Sequence, residues 1–154
     1  MNNPPSPLKE QRKTFYSKRA IGWVTFLTGP LSGAYMLAEN FKNLGNEDAY
    51  RNTLITSLLA TFFYFLGAFY LPENIVNILD KGSSSLINLP CLFVLVALQD
   101  HYQRKKIEQK IKNGAHLATG WSSFKIGVIG FFIFLSIGFA ITMAYIALGL
   151  PIGE

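Results

Sequence analysis

Ala20-Ile21-Gly22-Trp23-Val24-Thr25-Phe26-Leu27-Thr28-Gly29-Pro30-Leu31-Ser32-Gly33-Ala34-Tyr35-Met36-Leu37-Ala38 runs for 19 residues without a charge and carries Gly29-Pro30 at its middle. A helix rises about 1.5 Å per residue, so the stretch approaches the ~30 Å thickness of a hydrocarbon core. Proline fits poorly inside a helix and well in its first turn. Two readings follow. Ala20–Leu44 is a kinked transmembrane helix, or it is two half-helices that turn at Gly29-Pro30 and return to the side they entered.

Three more uncharged runs lie downstream: Asn52–Leu71 (20 residues), Gly82–Gln99 (18) and Ile126–Gly153 (28). Half of the 154 residues are hydrophobic, 15% are charged and 13 are Phe. A soluble helix would alternate its apolar and polar faces. These blocks do not, and no strand-length alternation points to a barrel, so spans must be helical. The fold class is an all-α integral membrane protein. It is a helical bundle with an N-terminal broken helix, re-entrant or kinked, and about three full transmembrane helices. The expected divisions are a basic cytoplasmic tail (1–19) and one membrane domain (20–153). Within the latter lie the broken helix (20–44), a span (47–71) and an outer amphipathic segment (72–85). A span with a basic extension (86–113) and a last span (122–150) follow.

Lys and Arg favour the cytoplasmic side of short loops. Five of the 14 precede Ala20, Lys42 and Arg51 flank the first turn, Lys81 stands alone, and six lie over Arg104–Lys125. Four full crossings divide them six against eight. A re-entrant first run places 13 of 14 on one side. Trp23, Tyr50, Tyr102 and Trp121 sit beside the same basic ends, as interfacial aromatics do. The N-terminus is therefore expected in the cytoplasm of a bacterial inner membrane. The basic excess is assigned to anionic headgroups rather than to nucleic acid.

Local signals are clearest at Asn43–Asp48. Gly45 suits a helix C′ position, Asn46 an N-cap, and Glu47 and Asp48 a first turn. This predicts a tight turn between antiparallel helices. Leu8–Arg19 reads as a short interfacial helix. The third span is expected to continue unbroken to Asn113 and to project as a basic arm. Arg104, Lys105, Lys106, Lys110 and Lys112 are that arm's candidate contacts with lipid or a partner. Gly127, Gly130, Gly138 and the alanines of the last helix allow close helix approach, within the chain or in a homo-oligomer.

No catalytic constellation is present, and no cofactor or metal is expected. The two histidines, His101 and His116, lack ligand spacing, and the single Cys91 excludes an internal disulfide. The break is the one candidate site: Thr28, Gly29, Pro30, Ser32 and Gly33. There a half-helix N-terminus would meet the hydroxyls of Thr25, Thr28 and Ser32 at mid-membrane, an arrangement broken transporter helices use for anions. The runs hold no Asp, Glu, Lys, Arg or His, which argues against proton coupling.

The segment Thr25–Gly45, with Gly29-Pro30-Leu31-Ser32-Gly33 leading to Asn40-Phe41-Lys42-Asn43-Leu44-Gly45, resembles a pattern in small bacterial multi-pass membrane proteins of uncharacterised activity. The resemblance covers about a seventh of the chain and implies that Gly29–Gly45 behaves as one unit. The expected function is an accessory or scaffold component of the plasma membrane, not an enzyme. The alternative is an oligomeric channel or carrier for a small solute or anion, built around the break.

Overall fold

Ser17 starts the first helix. Its backbone is extended and its Oγ accepts from the Ala20 N–H at 3.1 Å, the geometry of an N-cap. Helix α1 (Lys18–Thr28) then runs to Gly29, whose φ of 95° is open to glycine and strained for other residues. Pro30 opens α2 (Pro30–Asn43), where its missing N–H costs nothing. The computed structural model describes residues 13–68 and 88–149. The first part of the basic tail (1–12), the outer amphipathic segment (72–85) and the start of the span expected from residue 86 lie outside the described residues.

Helices α1 and α2 fold back on each other. The Tyr16 N–H donates to Asn40 Oδ1 at 2.7 Å, and Asn40 Nδ2 donates to the Tyr16 carbonyl at 2.9 Å. A continuous helix would hold these residues roughly 36 Å apart. Nearer the tip, the Gly33 backbone lies directly on the Thr25 side chain, where a Cβ would overlap Thr25 Oγ1. Gly29-Pro30 is therefore the tip of an antiparallel helical hairpin.

The next turn takes the form its residues predict. Gly45 has φ 81°, and Asn46 Oδ1 accepts from the Ala49 N–H at 3.0 Å. Helix α3 (Glu47–Ala68) returns antiparallel along α2. Helix α4 (Leu89–Tyr102) begins at the level of the tip, where Asn88 Nδ2 donates to the Phe26 carbonyl at 3.3 Å. It packs along α1 and the lower part of α2.

Two expectations fail at the other end of the molecule. The third helix does not run unbroken to Asn113: it bends at Gln103 and restarts as α5 (Arg104–Lys112). Gln103 is fully buried, and its Nε2 donates to the Leu37 carbonyl at 2.9 Å, which pins the bend to α2. Nor does α5 project. Ile107 is buried against Phe15 and Ala115, with Leu44 and Ile111 closing the cluster. Residues 13–17, read as part of an interfacial helix, are extended instead. Strand β1 (Thr14–Phe15) pairs in parallel with β2 (His116–Leu117), and Tyr16 is held by Asn40. Backbone partners at 116–118 replace the helical ones.

Helix α6 (Gly120–Ala147) completes the fold, capped by Thr119 Oγ1 accepting from the Ser122 N–H at 3.3 Å. Its glycines receive the hairpin. Gly127 meets Val24 and Thr28, Gly130 meets Ser32, and higher up Gly138 meets Phe65 of α3. Among the described residues, α6 alone is long and apolar enough to cross a membrane, with a mean hydropathy of 2.4 and 11% of its most apolar stretch buried. The count of about three spans is not met by the other helices. Helix α4 has 14 residues, and α3 has 22, but Glu47, Asp48 and Arg51 occupy its first turns.

Large apolar side chains are widely exposed, while several polar ones are enclosed. Asn40, Thr25 and Ser32 are fully buried, whereas Trp23 and Phe139 are each 65% exposed and Phe132 62%. The interior itself is small: Ile21, Val24, Ala34, Met36 and Leu37 of the hairpin against Leu95 of α4.

Closing the hairpin on Gly33 gives a direct test. Gly33→Ala should destabilise the protein by about 1–3 kcal/mol through overpacking against Thr25. Adding Thr25→Ala should recover most of that loss, measured as Tm in detergent. Additive losses in the double variant would show that the arms do not meet there.

Candidate functional site

The residues of the break do not converge on a chamber. Thr28 Oγ1 donates back to the Val24 carbonyl at 2.7 Å, and Thr25 Oγ1 to the Ile21 carbonyl at 2.7 Å. Both hydroxyls are thus engaged by their own helix. Ser32 Oγ is buried without a hydrogen-bond partner and faces Gly130. The Gly29 α-carbon is directed at the Phe134 ring, which a Cβ would meet at 3.6 Å. Gly33 is used in contact with Thr25. Thr28 and Gly29 meet α6, Ser32 meets α6 one turn away, and Gly33 meets α1. The structure brings these five residues to one tip, and packs them there. Pro30 borders a largely apolar groove of about 440 Å³ between α2, α3 and α4.

The denser polar constellation lies at the opposite end of the hairpin. The Tyr16 carbonyl accepts from Asn40 Nδ2 and from Gln99 Nε2, each at 2.9 Å. A carbonyl has two lone pairs, so both bonds are met at once. Gln103 Nε2 ties α4 to the Leu37 carbonyl one helical turn further along. Asn43 Nδ2 donates to the Thr14 carbonyl at 2.8 Å, and Lys13 Nζ donates to the Asn43 carbonyl at 2.9 Å. These bonds staple the entry of α1 to the exit of α2 and to the end of α4. Apart from the Lys13 ammonium, the donors are neutral carboxamides bonded to backbone carbonyls, so the constellation holds geometry.

The basic groups gather at this same end. The β1–β2 pairing sets Lys13 beside His116, and the Lys13–Asn43 bond brings in the first turn with Lys42. Lys42 lies 4.0 Å from Glu39 and 5.2 Å over the Tyr50 ring. Lys18 pairs with Asp100 at 3.2 Å. Arg104 is held between Asp100 at 3.6 Å and Glu108 at 3.1 Å. Its hydrogen bond with Glu108, then the two carboxylate charges, raise its pKa above the ordinary value. Lys105, Lys106 and Lys112 are exposed on the outer face of α5, and Lys110 is partly covered. Of the five predicted contact residues, Arg104 is thus engaged with its own helix and with α4, while Lys105, Lys106 and Lys112 face outward.

Asn40, Gln99 and Gln103 were not foreseen as a unit. The available signal was their isolation. Asn40 directly follows an apolar run and its flanking Glu39, and Gln99 and Gln103 stand at i and i+4, which places both on one helix face. No protein-family model, curated protein or solved structure matches this chain.

Asn40→Ala should cost about 2–3 kcal/mol, since it leaves the partly buried Tyr16 N–H without its acceptor and removes a second bond. Gln99→Ala should cost less, because the Tyr16 carbonyl keeps Asn40. Chemical unfolding in micelles reads both. Equal losses would show that the two amides do not share one acceptor.

Proposed function

We propose that the chain is a small multi-pass inner-membrane scaffold protein with a re-entrant hairpin. The supporting observation is that the N-terminal, first-turn and α5-side basic segments gather at one end of the molecule. The N-terminal segment, the first turn and the Arg104–Lys125 segment meet there through the β1–β2 pair and the Lys13–Asn43 bond. By the preference of Lys and Arg for the cytoplasmic side, that end and the N-terminus lie in the cytoplasm.

Depth agrees with this placement. The tip contacts α6 at Phe134, nine residues above Lys125. That is roughly 14 Å of helix, about half of a ~30 Å core. The hairpin thus ends near the bilayer middle. Helices α3 and α6 continue above it, joined by the Phe65–Phe134 contact at 4.6 Å between ring centroids. The exposed aromatic belt then faces lipid. Trp121 and Lys125, 5.6 Å apart, mark the interface.

The packed condition of the break favours a scaffold over the channel or carrier alternative. A solute site at Gly29-Pro30 requires open donors in an open space; here the hydroxyls of Thr25 and Thr28 are spent on their own helix, and the unpaired Ser32 hydroxyl is closed off against Gly130. The outward face of α5 and the exposed length of α6 are the surfaces left for a membrane partner or a second copy. Gly127, Gly130 and Gly138 of α6 are engaged inside the chain, so self-association along the span would use Ala140, Ala144 and Ala147, which are exposed.

Two measurements test the reading. Single cysteines at Ser17 and Gly45 in a Cys91→Ala background should label from the same side of sealed inner-membrane vesicles. Labelling from opposite faces would make Ala20–Leu44 a crossing helix. Reconstituted protein should show no solute flux above empty liposomes. Flux abolished by Pro30→Ala would replace the scaffold with the carrier.

A further inference from the structure

An open groove of about 440 Å³ lies on the outer side of α1, against α4. Its floor is Gly22 beside Val96, and a Cβ at Gly22 would meet Val96 Cγ2 at 3.5 Å, an ordinary contact. Trp23 and Phe26 form one wall, edge to face at 6.4 Å. Lys18 and Arg19 stand at its mouth. Lys18 is paired with Asp100, but Arg19 is exposed and makes no ion pair among the described residues. The groove therefore has a polarity along its length: cationic at the basic end of the molecule, apolar toward the hairpin tip.

Its length matches one leaflet. From Lys18 to Phe26 α1 rises roughly 12 Å, a little under half of a ~30 Å hydrocarbon core. An occupant must be anionic at one end and apolar for about half the bilayer's depth. Long Lys and Arg stems reach the headgroup level from such positions. We infer that this groove is a binding site for one anionic glycerophospholipid of the cytoplasmic leaflet. Its phosphate sits between Lys18 and Arg19, and one acyl chain lies over Gly22 along Trp23 and Phe26. The site rests on the membrane placement above. It differs from headgroup attraction to the outer face of α5 in being a built groove with a chain-sized floor.

A bound lipid here has a structural consequence. Helices α1 and α4 are joined at the tip by Asn88 and at the base by Gln99 and the Lys18–Asp100 pair. Between those two points the groove opens, and a chain lying in it fills the gap.

The test is lipid retention by the full chain, purified in detergent, stripped of lipid, and offered phosphatidylglycerol or phosphatidylcholine with the same acyl chains. Native mass spectrometry counts what stays bound. One phosphatidylglycerol should be retained in preference to phosphatidylcholine. Arg19→Gln should lower its retention about fivefold and Lys18→Gln with Arg19→Gln roughly 20-fold, from the attraction of each cation near a membrane surface. Gly22→Leu should lower retention of both lipids by filling the floor without altering charge. Arg51→Gln, on α3 and not part of the groove's lining, should leave retention unchanged. Because Lys18 also pairs with Asp100, Arg19→Gln and Gly22→Leu decide the matter if the double variant unfolds.

Equal retention of the two lipids, or unchanged retention in Gly22→Leu, overturns the proposal. So does a dimer that Gly22→Leu dissociates and lipid does not, since a second copy would then occupy the groove. A chain that needs detergent yet keeps no phosphatidylglycerol defeats the groove and leaves the membrane placement standing. A chain that stays in buffer without detergent defeats both.

Discussion

The rest of the structure depends on the exchange of hydrogen bonds between Asn40 and the backbone of Tyr16. One side chain satisfies both the N–H and the C=O of a residue just before α1, where the chain has left regular structure. A backbone group enclosed by protein and left unpaired costs about 1–3 kcal/mol. The exchange therefore fixes where α1 begins and where α2 must end. Once those two points are joined, Gly29-Pro30 can only be a tip. The close contact of Gly33 on Thr25 follows, as does the docking of both arms on α6.

A neutral carboxamide suits this position for a physical reason. It offers a donor and an acceptor in one plane and carries no charge to desolvate. A carboxylate could accept from Tyr16 but could not donate to it, and a cation could donate but not accept. The same logic repeats at Gln99 and Gln103, whose Nε2 groups reach carbonyls of neighbouring segments. All three amides lie at the basic end of the bundle. The upper half is joined by rings instead, Tyr64 and Phe65 against Phe134. Hydrogen bonding secures the end with irregular backbone, and aromatic packing secures the end with regular helices.

Legibility from sequence followed the range of the interactions. The turn at Gly45-Asn46 was readable because its determinants lie within six residues: a positive φ, a cap and two first-turn acids. The grouping of Lys and Arg was readable because it is a sum over loops and tolerates errors at any one boundary. The bend at Gln103 was not, because nothing local breaks that helix. No Gly or Pro interrupts it, and the cause is a hydrogen bond to Leu37, 66 residues earlier. The β1–β2 pair was hidden for the same reason, since Thr14 and His116 find each other only after the hairpin has closed. The break was located correctly as a point on the chain. Its interior was not, because hydroxyls at Thr25 and Thr28 can turn either into a cavity or back onto their own helix, and periodicity does not distinguish the two.

The small residues of α6 show how these levels connect. Gly127, Gly130 and Gly138 recur at helical spacing, which by itself permits any close neighbour. What selects the neighbour is the height of the hairpin. Its arms reach α6 from Val24 to Ser32, so the first two glycines meet α1 and α2. The third lies above the tip, where the hairpin has ended, and there Phe65 of α3 comes in against it. A longer hairpin would displace that ring, and a shorter one would leave Gly127 and Gly130 facing a void. The length of the hairpin is in turn set at its base by Asn40. A single amide at the basic end thus determines which helix meets α6 halfway along its length.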